Sequence, residues 1–157
     1  MISVYADDDM NCLVVQAPDG QGHAMYFWQY TFADGSHDLA MAKSLDSASA
    51  DIKRVTFGGS KEQGCHYQML AIAKGSSWGW HLAWFDRQKQ VLYYARMDGA
   101  AWVSSPPKRL AIQAVTDVRM QIEQQQVSVT WRANGKSYQI NSDDEGRTWG
   151  YPQEMNP

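Results

Sequence analysis

The 157-residue chain reads as an all-β, antiparallel protein built from about three four-stranded units. Three observations lead there. Apolar and polar residues alternate over most of the chain, the alternating runs are rich in β-branched and aromatic side chains, and helical spacing is almost absent. Turn-forming pairs separate the runs: Asp19-Gly20, Asp34-Gly35, Gly58-Gly59, Asp98-Gly99 and Asn134-Gly135. The sequence also repeats at an offset of 47, with Trp84 falling on Trp131, Lys89 on Lys136, Gly99 on Gly146 and Trp102 on Trp149. The apolar phase follows, Leu82, Val91 and Tyr93 matching Val129, Tyr138 and Ile140.

Taken in order, the alternation predicts strands at 2–6, 12–16, 23–32, 38–44 and 52–57, then at 66–74, 80–86, 90–97 and 100–104. A last group follows at 116–123, 126–132, 136–141 and 147–151. Segment 38–50 is the one place where a short helix competes. No stretch has the composition of a linker, so residues 1–157 are expected to form one domain. Its units run over about 11–57, 66–110 and 116–155. In the first unit Trp28 takes the part of Trp84, without the downstream Gly and Trp. Each unit has the size and strand count of a propeller blade, typically ~40–50 residues.

Composition narrows the function classes. A hydrophobic fraction of 44% with 20% charged residues is that of a globular chain with a core, and seven tryptophans and eight tyrosines supply unusually large side chains for it. The net charge of −3, with scattered Lys and Arg, argues against a nucleic-acid partner. No apolar run approaches the ~20 residues of a membrane span. The opening MISVYADDDMNC lacks the basic start and apolar run of a signal peptide. A chain trimmed of its signal reads the same way, and a periplasmic or extracellular setting is then expected. Cys12 and Cys65 can pair or stay reduced, and spacing does not decide between them.

Near the end of the chain, Ser142, Asp144, Gly146, Thr148 and Trp149 spell S-x-D-x-G-x-T-W. This resembles the Asp box, or BNR repeat, of sialidase-like β-propellers. The resemblance covers the last ~40 residues and, loosely, 66–110, where Ala95 and Met97 stand in place of Ser and Asp. The chemistry suits a self-contained turn. The aspartate accepts hydrogen bonds from nearby backbone N–H groups, glycine supplies a positive φ, and the hydroxyls tie the ends. The tryptophan is expected to pack between sheets, and complete burial would make its loss cost roughly 3–5 kcal/mol. In that family such turns mark the outer rim of blades, so these five residues are expected to be structural. Three units fall short of the 4–8 blades of a closed ring. The protein is therefore either a monomeric open wedge or a homodimer that completes a six-bladed ring.

A glycosidase of that type needs an arginine cluster, a tyrosine–glutamate pair and spaced carboxylates. The seven arginines follow no unit-to-unit pattern, and the four glutamates include Glu145 inside the turn. His23, His37, His66 and His81 have no metal-ligand spacing, so neither a metal nor another cofactor is expected. Asp7–Asp9 read as a solvated turn, and FGGSKEQGC as a loop between units without phosphate-loop order. What remains is recognition. Trp78 in GSSWGW is a candidate exposed anchor. Ser104, Ser105, Pro106 and Pro107 form a stiffened loop that could enter a partner's cleft. The expected function is a non-catalytic recognition protein binding a protein partner, such as a secreted hydrolase or toxin, in the manner of inhibitor or immunity proteins. The alternative is a glycan-binding module of sialidase-like type, and a glycosidase comes third.

Overall fold

The computed structural model describes residues 12–46, 51–77, 79–98 and 103–156. They form thirteen strands in three antiparallel sheets, with no helix among the described residues. Sheet 1 contains β1 (Val14–Pro18), β2 (Ala24–Thr31), β3 (His37–Ala42) and β4 (Lys53–Arg54). Sheet 2 contains β5 (Tyr67–Lys74), β6 (Trp80–Asp86), β7 (Val91–Asp98) and β8 (Val103–Ser104), and β9 (Lys108–Ala111) also pairs with β7. Sheet 3 contains β10 (Thr116–Glu123), β11 (Gln126–Ala133), β12 (Lys136–Ser142) and β13 (Gln153–Met155). The first four strands of each sheet lie in chain order, and β9 pairs with β7 beside β8. At Asn134-Gly135 both residues have positive φ, 54° and 76°, the form of turn that matches strand twist.

Two strand assignments differ from the sequence reading. The chain after Pro106-Pro107 resumes pairing along Leu92–Tyr94 as β9, giving sheet 2 a fifth strand where a connecting loop was expected. Residues 147–151 are not a strand, because Asp144 holds Thr148 in the preceding turn, and the edge strand begins only at Gln153. The segment that could compete as a helix is strand at His37–Ala42. The expected strand 2–6, part of 100–104, Gly99 and Trp102 lie outside the described residues.

Burial explains the strand patterns. Sheet 2 is covered on both faces, so β6 is buried along its whole length. Trp80, Leu82 and Trp84 face sheet 1 in one core with Phe27, Leu39 and Met41. Phe85, Leu92 and Tyr94 face sheet 3 in a second core with Val127, Val129 and Trp131. The other face of sheet 3 is polar, with Arg119, Gln121, Glu123 and Arg132 exposed. A disulfide joins Cys12, just before β1, to Cys65, just before β5, and so ties sheet 1 to sheet 2.

Strand registers refine the internal repeat. Trp84 pairs with Tyr93 and then Arg109, Trp131 with Tyr138 and then Glu154, and Trp28 with Ala40 and then Arg54. Tyr138 therefore corresponds to Tyr93, not to Val91. The turn after β6 is two residues longer than the Asn134-Gly135 turn, so the offset drops from 47 to 45 beyond it. Opposite Trp84 and Trp131 the first strand carries the same irregularity, with Met69 at φ 55° and Asp117 at φ 53°.

Candidate functional site

A cleft of about 600 Å³ opens between the outer parts of sheets 1 and 2. Its first wall is the segment after β4, held by Asp38 of β3. The Asp38 side chain is fully buried. Its Oδ1 accepts hydrogen bonds from Thr56 Oγ1 (2.7 Å), Tyr67 Oη (2.8 Å) and the Gly58 amide (3.0 Å). Its Oδ2 accepts from the Gly59 amide (3.0 Å) and from Arg54 Nη2. Burial pushes this carboxyl up, but the hydrogen bonds from Thr56, Arg54, Gly59 and Tyr67 outweigh it and hold the group below its ordinary value. Burial raises the Tyr67 phenol well above its ordinary range, and its bond to Asp38 adds to the rise. The strand ladder continues into this segment through Val55 N to Leu39 O (2.8 Å) and Leu39 N to Thr56 Oγ1 (2.8 Å).

Space at 58 is tight, since a Cβ there would sit 3.2 Å from the Tyr67 hydroxyl and would need it to shift by a few tenths of an ångström. The outcome of this clamp is the display of Phe57, which is 74% exposed on a segment whose neighbours are fixed. The Arg54 guanidinium lies 5.3 Å from the Phe57 ring centre and 4.6 Å from that of Phe32.

The opposite wall is the connection between β8 and β9. Ser105 exchanges two hydrogen bonds with the Arg96 backbone: its amide donates to Arg96 O (2.7 Å) and its Oγ accepts from Arg96 N (2.9 Å). Ser104 Oγ donates to Ser105 O (3.0 Å). Ser104, Ser105, Pro106 and Pro107 all line the cleft. Ser104 thus bonds within the loop and Ser105 to β7, and the loop also offers outward the surface of two exposed prolines.

Between the walls, Tyr93 stacks on the buried Trp84 ring at 5.8 Å and 28°. Lys89 Nζ lies 6.0 Å from the Tyr93 ring centre, and Arg109 is the cross-strand neighbour of Tyr93. Asp86 is the carboxylate among the described lining residues, and its Oδ1 accepts from the amides of Gln88 and Lys89, both at 3.0 Å. Phe57, Tyr93, Lys89 and Arg109 were missed from sequence. The signal available for Phe57 was an aromatic directly before Gly58-Gly59, where the chain leaves the sheet.

The Ser142–Trp149 turn lies elsewhere, at the junction of sheets 2 and 3. Ser142 Oγ donates to Asp144 Oδ1 (2.7 Å) and accepts from the Gly146 amide (2.8 Å). Thr148 donates to Asp144 through its amide (2.8 Å) and its hydroxyl (2.5 Å), and these bonds hold the Asp144 carboxyl down at about 2. Trp149 Nε1 donates to Gly146 O (3.1 Å) and its ring meets Tyr94 edge-on at 4.7 Å. The indole is only partly buried, so the full-burial cost expected for its loss does not apply. Beside it, His81 Nδ1 is hydrogen-bonded to Tyr94 Oη, and burial, with Arg96 nearby, lowers His81 to about 4. Glu145 folds inward and accepts from the Ser77 amide (3.3 Å). Trp78, the other candidate anchor, lies outside the described residues. Among those residues no group of three His, Cys, Asp or Glu gathers as metal ligands. No protein-family model matches the chain, and no curated protein matches its sequence.

Proposed function

We propose that the chain is a non-catalytic recognition protein that binds a protein partner at the cleft between sheets 1 and 2, in the manner of an inhibitor or immunity protein. One observation carries this reading: Phe57, 74% exposed, stands on a segment held by four hydrogen bonds to the buried Asp38, from Arg54, Thr56, Gly58 and Gly59. A rigid aromatic beside a pocket is the usual form of an interface anchor, because little entropy is lost when it docks. The exposed Pro106-Pro107 edge supplies a second stiff contact on the facing wall. The cleft's polar groups suit binding better than turnover. Asp38 is surrounded by donors, Tyr67 resists ionisation, and both serine hydroxyl oxygens are hydrogen-bonded to backbone groups.

The fold reading that accompanies this is an open, three-bladed, propeller-like wedge related to Asp-box proteins. It is supported by the chain-order succession of the first four strands in each sheet and by the contact of first strand β5 with first strands β1 and β10 on either side. The polar outer face of sheet 3 gives no apolar surface for another blade, which favours a monomer over a ring of two copies.

The test is a photo-crosslinking amino acid at position 57, with one at Thr130 on the polar face of sheet 3 as control. Position 57 should capture a defined protein, and Phe57→Ala should weaken the purified complex at least ~30-fold, as for an interface hot spot. Capture at both positions alike, or an unchanged affinity for Phe57→Ala, sinks the reading. Binding to a glycan array that is lost in Trp78→Ala would favour the glycan-binding module instead.

A further inference from the structure

The cleft's free charges are opposite in sign to the chain as a whole. Resting on the reading above, we propose that the partner fills the cleft with an extended acidic segment, one carboxylate of which lies between Lys89 and Arg109 beside the Tyr93 ring.

The chain carries a net charge of −3, yet the exposed charges lining this cleft are Lys89 and Arg109. Among the described residues neither forms an ion pair. The carboxylate in the lining, Asp86, already accepts two backbone amides of its own turn. Asp38 is buried behind Thr56 and Tyr67 and neutralised by Arg54. The lining therefore keeps an excess of one positive charge, two exposed cations against the Asp86 carboxylate.

Both cations neighbour Tyr93, Arg109 by strand register and Lys89 by side-chain distance. Arg109 pairs across the strands with Tyr93, and Lys89 Nζ stands 6.0 Å from the same ring centre. A guanidinium offers two parallel donors to a carboxylate, and the ammonium adds a point charge. Phe57, Pro106 and Pro107 present apolar surface for the side chains that flank the acid.

The groove between sheets 2 and 3 is an internal comparison. By register, Glu154 occupies there the place that Arg109 holds here, beside the stacked Trp131–Tyr138 pair, and it meets Lys136 at 3.6 Å. At the equivalent register position the repeated framework thus carries, among the described residues, an unpaired cation at the first junction and a paired acid at the second.

The experiment uses the full chain and three fluorescent probes: a hexapeptide alternating glutamate and leucine, its glutamine counterpart, and trigalacturonate. Anisotropy at low and high salt reads binding, and amide shifts of Tyr93 and Arg109 locate it. The glutamate peptide should bind, weaken with salt, and exceed both other probes by at least about tenfold. Lys89→Glu with Arg109→Glu should remove at least about tenfold of that affinity at an unchanged melting temperature, with Lys89→Gln and Arg109→Gln intermediate. Equal affinity for both peptides, binding of neither, preference for trigalacturonate, or an unaffected charge-reversed protein overturns the proposal. If Phe57→Ala disrupts the cross-linked partner complex and the charge reversal does not, the acidic segment is wrong and the docking cleft stands. If neither substitution weakens that complex, both fail.

Discussion

Replacing Asp38 by Asn tests the clamp behind the cleft. The amide oxygen of Asn can keep the three bonds now made by Oδ1, from Thr56, Tyr67 and Gly58. Its NH₂ then faces two donors, Arg54 Nη2 and the Gly59 amide, where Oδ2 now accepts. Losing the charged bond and leaving a buried amide without an acceptor should together cost about 3–5 kcal/mol. For a chain of this size that lowers the melting temperature by roughly 6–20 °C. The pH dependence has a definite sign. Asp38 has a depressed folded-state pKa, so its contribution is complete above the ordinary carboxylate value and is lost as pH falls through the lower folded value. Calorimetry should therefore show a wide gap between wild type and variant at pH 7 that narrows toward pH 2. Hydrogen exchange should show the Gly58 and Gly59 amides opening locally in the variant and only with global unfolding in the wild type. A melting point within 2 °C of wild type, or a gap independent of pH, would refute the clamp.

Three other outcomes follow from the same structure. Reducing the Cys12–Cys65 disulfide, which closes a loop with a sequence separation of 53, should cost about 4 kcal/mol, read as the change in urea midpoint with and without reductant. Gly146→Ala would place a Cβ 1.9 Å from the Tyr94 hydroxyl at φ +83°, so it should destabilise by ~3 kcal/mol or more. Gly135→Ala, at φ +76° with open space around it, should cost only ~1 kcal/mol, and equal chemical-denaturation midpoints for the two would contradict the packing at the sheet 2–sheet 3 junction. His81, depressed to about 4, should stay neutral by NMR well below its ordinary value of 6.5. The unfolded chain then binds that proton first, so stability should rise with pH between about 4 and 6.5.

The sequence alone determined the all-β class, most strand positions and the division into three sheets. Each rests on neighbours along the chain: alternation selects a face, Asn134-Gly135 selects a hairpin, and Ser142, Asp144, Gly146 and Thr148 bond within one eight-residue turn. Burial of β6 on both faces, the pairing of β9 beyond Pro106-Pro107 and the strand-free stretch after Trp149 came only with the sheets assembled. The cleft came the same way. Asp38 and Tyr67 are 29 residues apart, and Phe57 follows sheet 1 while Arg109 lies in sheet 2. Alternation tells which side of a strand a residue occupies, but not which residue of another strand stands opposite. That choice is made by the register of long-range pairs, by the bulges at Met69 and Asp117 that bend the first strands, and by the packing of one sheet on the next.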